Sequence, residues 1–260
     1  MKDQIILEAR GVTKVFNGLT AVAGVDYQLI EGQVAGVIGP NGAGKSTFFN
    51  LLTGLYTPTE GRVDFSDQDI TKVPPDQRVV MGLGRTFQLV SVFNSLTVLD
   101  NLVLSVTRFT PYFEKKSKFF FADRHNAFIR ENCIDAMEMV GIQDKKDHET
   151  SSLSYGDKRK LEIAMALSLK PKVLLLDEPF AGLSDGEIDE IVNLINKIKV
   201  GLSIVIIEHK ISKLLDLVEK LSVMHEGRLI FEGKPQEAIS DREVRRVYWG
   251  EKDESSAIKC

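Results

Sequence analysis

The chain has 260 residues with 33 Lys and Arg against 37 Asp and Glu; a formal net charge of −4 argues against a general nucleic-acid binder, which carries a basic surplus. Its 43% hydrophobic content suits one large α/β domain or two small ones. No uncharged apolar run approaches the ~18 residues of a membrane helix, and Met1 to Arg10 lacks the order of a signal peptide, so the chain is expected to be soluble by itself.

From the amino terminus, Ile5 to Val12 and Ala21 to Ile30 read as strands of a small antiparallel sheet, closed by a Glu31-Gly32 turn. The apolar strand Val34 to Ile38 then feeds Gly39-Pro40-Asn41-Gly42-Ala43-Gly44-Lys45-Ser46-Thr47, and a helical pattern, Phe48 to Leu52, follows. Strand, glycine loop and helix are the setting in which GxxxxGK[ST] is a nucleotide site and not a glycine turn without ligand. The glycines let backbone N–H groups converge on phosphates, and the helix start adds its partial positive charge there. Lys45 is placed to reach the β- and γ-phosphates, and the Ser46 hydroxyl to ligate Mg²⁺. No second such loop occurs, so the chain is one nucleotide-binding unit.

Pro58 to Gly61 reads as a turn, Arg62 to Phe65 as a strand and Pro75 to Met81 as a short helix. From about Leu89 to Leu169 the pattern is mostly helical. There Ile129, Cys133, Met137 and Val140 share one helix face that Gly141 ends, which makes Cys133 a core residue. Cys133 and Cys260 have no metal-type spacing and suit a reducing cytosol. Phe109 to Phe121 holds six aromatics among Lys115, Lys116 and Lys118, either a docking surface or packing beneath the helical part.

Leu153-Ser154-Tyr155-Gly156-Asp157 opens the helix that carries Lys158 to Leu169. Ser154 is either a plain helix cap or, with the helix N–H groups, a second anion site, in which case two chains share each nucleotide. Lys172 to Leu176 and Ser203 to Ile207 are buried strands of a parallel sheet. The helix through Ile188, Ile191, Ile195 and Ile198 connects them, and Ile211, Leu214, Leu215 and Val218 predict another helix. Ligands bind at the carboxyl ends of such strands, where Asp177-Glu178 and Glu208-His209 stand. Asp177 is placed as second holder of the Mg²⁺, and Glu178, pointing elsewhere, to polarise the attacking water.

The ordered set of phosphate loop, Gln88 after Arg85-Thr86-Phe87, Leu153 to Asp157, Val173 to Glu178, Ala181-Gly182-Leu183-Ser184 and His209 resembles the ATP-binding subunit of an ABC transporter. The resemblance runs from about residue 5 to the end. It implies an α/β fold: a P-loop NTPase core of the ABC type, with a mainly parallel sheet, a small N-terminal antiparallel sheet and a helical lobe. A single nucleotide-binding domain, 1–260, would comprise a core lobe (about 1–88 and 170–235), a helical lobe (about 89–169) and a helical tail (about 236–260). The implied ligands are ATP and Mg²⁺.

In that family two such domains pair head to tail, so Ser154 and Gly156 of one would meet the γ-phosphate held by Lys45 of the other. Phe16 matches the aromatic that stacks on adenine; a core role is its default outside this set. Gln88 matches the link between γ-phosphate, Mg²⁺ and membrane subunits, and His209 the group that senses γ-phosphate, against a default of a buried histidine. Two segments depart from the family pattern. Tyr155 and Asp157 replace the third and fifth positions of Leu-Ser-Gly-Gly-Gln, and Asp157 is expected to weaken an anion site. Ala181 to Ser184 lacks the aspartate of Ser-Ala-Leu-Asp unless Asp185 substitutes.

Within the family, Arg85 to Gln88, Leu161-Glu162-Ile163-Ala164, Ile207 to His209 and Val247-Tyr248-Trp249-Gly250-Glu251 resemble importers of branched-chain and related hydrophobic amino acids. The lipopolysaccharide-export ATPase is similar in Asp177 to Gly182 and the tail. Implied partners are a second ATP-binding subunit, integral membrane permease subunits and, indirectly, a solute-binding protein, at the cytoplasmic face of the membrane. The rivals are an ATPase of a soluble assembly system and a nucleotide-binding regulator without turnover, against which Glu178 argues.

Overall fold

The computed structural model describes residues 4–86, 92–109, 127–209 and 211–249. Gln88, nearly all of Phe109 to Phe121, the Gly250-Glu251 end of the tail and Cys260 lie outside the described residues.

The first half runs β1 (Ile5–Phe16), β2 (Leu19–Ile30), β3 (Val34–Ile38), α1 (Lys45–Leu52), β4 (Glu60–Phe65), β5 (Gln68–Asp69), α2 (Pro75–Met81) and β6 (Leu83–Arg85). Next come α3 (Val98–Phe109), α4 (Ala127–Val140) and α5 (Tyr155–Leu167). The chain then follows β7 (Val173–Asp177), α6 (Asp185–Ile198), β8 (Ser203–Ile207), α7 (Ile211–Leu215), β9 (Lys220–His225), β10 (Arg228–Gly233), α8 (Pro235–Ser240) and α9 (Arg242–Trp249).

β1, β2, β4 and β5 make an antiparallel sheet in the order β2-β1-β4-β5. Its first hairpin is tight because Asn17 and Gly18 both take positive φ, 47° and 86°, the pair that a twist-matched two-residue turn requires. The second strand therefore begins at Leu19, two residues before the apolar pattern announces it. The other sheet has the order β10-β9-β3-β8-β7-β6, parallel at every pairing except the β9-β10 hairpin at its edge. All residues of β3, β7 and β8 are buried, so these strands read as continuous apolar runs.

Successive residues of the parallel strands alternate between two cores. Val37, Val173, Leu175, Val205 and Ile207 face Phe48, Phe49 and Tyr27 of α1 and the antiparallel sheet. Leu174, Leu176, Ile204 and Ile206 face the helices, among them Ile188, Ile191 and Ile195 of α6 and Ile129 and Cys133 of α4. This two-sided burial fixes the strand register, because a one-residue slip would exchange the two faces. It also aligns the carboxyl ends of neighbouring β3, β8 and β7, where the phosphate loop, Glu208-His209 and Asp177-Glu178 follow.

One expectation needs correction, and one element was missed. Ile211, Leu214, Leu215 and Val218 give a helix of only five residues, because Leu217 and Val218 both bond back to the Leu214 carbonyl and turn buried into β9. The β9-β10 hairpin, joined at Glu226-Gly227, was not anticipated. Among the described residues no helix is long and apolar enough to cross a membrane.

Cys133 is fully buried, as its helix face predicts, and burial pushes its thiol up to about 12. The thiolate is the reactive form. At pH 8 the native protein should leave the Cys133 peptide unalkylated by iodoacetamide, and denaturant should make it react; mass spectrometry of that peptide reads both states.

Candidate nucleotide site

The loop from Gly39 to Gly44 is pressed against three backbone segments, and its glycines are there for space. A Cβ at Gly39 would lie 2.4 Å from the Met224 carbonyl oxygen, and one at Gly44, where φ is 100°, would lie 2.5 Å from that of Ala21. The Gly227 amide donates to the Ala43 carbonyl at 3.0 Å, so the β9-β10 turn braces the loop from outside. Gly44 caps α1, and the first turn has neither a side-chain cap nor an acidic residue, leaving the positive end of the helix to face the groove. The groove holds about 510 Å³ and is lined by Asn41 to Thr47, with Ala21, Glu178 and Glu226 around them.

Lys45 is buried, and its ammonium folds onto the carbonyls of Gly39, at 2.6 Å, and Pro40, at 3.1 Å. Burial lowers its pKa, while Glu178, Asp177 and Glu208 pull the other way. A cation already drawn from water and ringed by loop amides is set for a phosphate.

Asp177 ends β7 almost wholly buried. Its Oδ2 accepts from Arg85 Nη2 at 2.7 Å, whereas its Oδ1 is buried without a hydrogen-bond partner. An orphaned carboxylate oxygen and the Ser46 hydroxyl are hard oxygen donors and fit Mg²⁺. Among the described residues no cluster of three His, Cys, Asp or Glu could cage a metal alone.

Glu178 follows with φ at 48°, a left-handed conformation that costs a non-glycine residue about 1–3 kcal/mol. The kink turns its carboxylate away from Asp177 into the groove, and its amide is held by the Ile207 carbonyl at 2.9 Å. His209 lies across from it, half exposed, with Nδ1 3.8 Å from Glu178 Oε1. Glu208 fixes this pair: fully buried, it accepts from the Phe180 amide at 2.8 Å and the His209 amide at 3.0 Å, tying the chain after Glu178 to the end of β8. Sequence reading saw Glu208 only as an acidic strand end.

Such a groove, with a buried lysine, a kinked glutamate and a facing histidine, is built for a nucleoside triphosphate. Residues 22–181 match the ABC transporter family. The chain belongs to that family. It is 34% identical to the high-affinity branched-chain amino acid transport ATP-binding protein LivG of Escherichia coli, over 96% of this chain and 99% of LivG. It is equally 34% identical to the lipopolysaccharide export system ATP-binding protein LptB of Acidithiobacillus ferridurans, over 95% and 97%. A crystal structure of the ADP conformation of an ATP-binding cassette of an ABC transporter superposes with a TM-score of 0.85 at 32% identity, over 95% of this chain and all of that one. This chain is thus an ATP-binding, ATP-hydrolysing cassette.

Other segments of the cassette lie away from the groove. Phe16, partly exposed at the end of β1, does not line it, although Leu19, Thr20 and Ala21 across the hairpin do. Its ring meets Tyr56 edge-on at 5.2 Å, and the Lys14 ammonium sits 5.1 Å from its centroid. Ser154 caps α5, its Oγ accepting from the Asp157 amide at 3.1 Å. Neither Ser154 nor Gly156 lines the groove of its own chain.

The two departures from the family pattern form one unit. Asp157 Oδ2 accepts from Lys145 Nζ at 2.6 Å and Ser154 Oγ at 2.8 Å. Burial alone would raise its pKa, but those two hydrogen bonds bring it below the usual value. The carboxylate that was expected to weaken an anion site is therefore paired with a lysine that sequence reading missed. At the start of α6 Glu187 Oε2 accepts from the Ser184 amide at 2.9 Å and hydroxyl at 2.7 Å, while Asp185 is exposed in the first turn. Glu187 also accepts from the Gly156 amide at 3.2 Å, so it joins the starts of α5 and α6. Tyr155 leans over Gly182, whose Cβ would be 3.0 Å from its ring.

Proposed function

We propose that this cassette powers the import of branched-chain or related hydrophobic amino acids, as a peripheral subunit on the cytoplasmic face of separate permease subunits. The 34% identity to LivG across 96% of the chain carries the substrate reading. In this reading the chain is one nucleotide-binding domain with the core lobe, helical lobe and tail bounded as above. Backbone amides of Gly39 to Thr47, with Asn41, Gly42, Ala43 and Gly44 at the turn, cradle the phosphates, and Lys45 reaches the β- and γ-phosphates. Phe16 offers a platform to adenine.

Ser46 and Asp177, with Gln88, hold Mg²⁺. When bound there, the ion would supply positive charge to the phosphates. Glu178 accepts a proton from the attacking water, and His209 meets the γ-phosphate from the opposite side. A second ATP-binding subunit, identical or related, supplies Ser154 and Gly156, so ATP favours the closed pair and hydrolysis releases it. Gln88 passes that change to the permease, and a solute-binding protein delivers the amino acid.

Affinity purification from membranes should recover multi-span subunits. With its solute-binding protein, the reconstituted complex should hydrolyse ATP faster when leucine or another hydrophobic amino acid is supplied. The equal identity to LptB favours a second reading, export of lipopolysaccharide. Stimulation by lipopolysaccharide and not by amino acids would establish it, and recovery of only soluble partners would defeat both.

A further inference from the structure

Strand β6 delivers two groups to the end of β7. Arg85 is registered beside Leu175, the Thr86 amide donates to the Leu175 carbonyl at 2.9 Å, and the Asp177 amide donates to Thr86 Oγ1 at 3.3 Å. From there the Arg85 guanidinium, itself largely buried, forks between two elements. Nη2 donates to Asp177 Oδ2 at 2.7 Å, and Nη1 donates to Asn50 Oδ1 at 2.6 Å and Thr53 Oγ1 at 3.1 Å on α1. Its carbon centre lies 5.9 Å from the Phe49 ring centroid, also on α1. One planar side chain thus joins the helix that begins with Lys45 and Ser46 to the strand that ends in Asp177.

The consequence lies in the asymmetry of the carboxylate. Arg85 occupies Oδ2, while Oδ1, equally buried, has no hydrogen-bond partner. A carboxylate free to rotate would offer either oxygen; one clamped at Oδ2 offers only Oδ1, at a spacing from Ser46 set through Asn50 and Thr53. We propose that Arg85 is a positioning residue for the ATPase reaction, holding Asp177 so that Oδ1 alone addresses the Mg²⁺ of the bound nucleotide. The proposal rests on the Mg²⁺ site assigned above. Partners of this outer kind typically change metal affinity by about 10-fold to 100-fold. Lysine cannot replace the fork, since a point charge does not span three acceptors in a plane.

The test separates the metal from the nucleotide. Affinity for a non-hydrolysable ATP analogue is measured by calorimetry with Mn²⁺ and again in EDTA, for wild type, Arg85→Met, Arg85→Lys and Asp177→Asn. Arg85→Met should lose about 10-fold to 100-fold of the Mn²⁺-dependent affinity, keep its affinity in EDTA within about twofold, and regain only part of the loss as Arg85→Lys. Equal losses with and without Mn²⁺ would overturn the proposal, since they would mark a general structural role. Unchanged Mn²⁺-dependent affinity in Arg85→Met, with its loss in Asp177→Asn, would overturn the role of Arg85 and leave the metal site standing. If Asp177→Asn has no effect either, the metal site and the proposal fall together. Should Arg85→Met not fold, Asn50→Leu with Thr53→Val removes the α1 anchor and must show the same selective loss.

Discussion

Glu178→Gln is expected to lower steady-state ATP turnover by about a hundredfold to ten-thousandfold, the usual contribution of a positioned general base, while ATP still binds. Glutamine keeps the size and the hydrogen-bonding reach of the side chain, so the kinked backbone and the bond to the Ile207 carbonyl have no reason to change. It removes the negative charge that faces Lys45 and would face the γ-phosphate, which leaves affinity equal or better. The variant should therefore accumulate with ATP bound, and in sedimentation it should form a dimer with ATP. Glu178→Gly supplies the contrast: it removes both the carboxylate and a left-handed strain of about 1–3 kcal/mol, so activity should fall while the unfolding midpoint rises. Unchanged turnover in Glu178→Gln would sink the assignment. A glutamine variant that stays monomeric with ATP would count against a shared site.

How far these groups could be read from the chain depends on how local their signals are. The loop from Gly39 to Thr47 is a local event, since its spacing, the apolar strand before it and the helix after it are contiguous in sequence. Asp177, Glu178 and His209 were legible for a related reason: each ends an apolar run, and parallel strands present their carboxyl ends to ligands. Lys145 and Glu187 gave no such sign. Lys145 sits in a charged stretch that reads as a solvated surface, and its partner Asp157 is twelve positions away. Glu187 reads as an ordinary member of a helix cap, and its second bond reaches Gly156, 31 positions back.

Apolar periodicity reports which face is buried, but it is silent about which charges meet across elements. The β9-β10 hairpin escaped on the same ground. It braces the loop through backbone, the Met224 carbonyl and the Gly227 amide, which no side-chain pattern encodes, and places Glu226 beside the groove.

Arg78 is the strongest case of a buried charge hidden in a helix of ordinary composition, and its loss should be the most destabilising single change outside the apolar core. The side chain is 1% exposed, and all its donors go to carbonyls. Nη1 donates to Leu51 and Leu52 at 2.9 and 2.6 Å, Nη2 to Ile70 and Thr71 at 2.5 and 3.2 Å, and Nε to Val73 at 2.9 Å. Burial pulls its pKa down to about 10, so it remains charged at neutral pH. Leu51 and Leu52 form the last turn of α1, where the carbonyls lack helical partners and the dipole is negative, so Arg78 is in effect the C-terminal cap of the phosphate-loop helix.

Arg78→Met keeps most of the volume but takes the guanidinium donors from the Leu52, Thr71 and Val73 carbonyls, while those of Leu51 and Ile70 keep the Gly54 and Val73 amides. Each buried acceptor left unpaired costs about 1–3 kcal/mol, so three of them together cost at least about 3 kcal/mol. For a chain of this size that is a fall in Tm of roughly 10 °C. Gly54 packs directly on the guanidinium, since a Cβ added there would lie 2.6 Å from Nε. Lysine should recover only a fraction, since one ammonium cannot reach both the end of α1 and the Ile70 to Val73 turn. Calorimetric unfolding of the two variants reads the effect, and a midpoint within about 2 °C of wild type for Arg78→Met, under 1 kcal/mol on the same scale, would show that the cap is dispensable. Because α1 begins with Lys45 and Ser46, loosening its far end should also weaken ATP binding as temperature rises, well before the cassette unfolds.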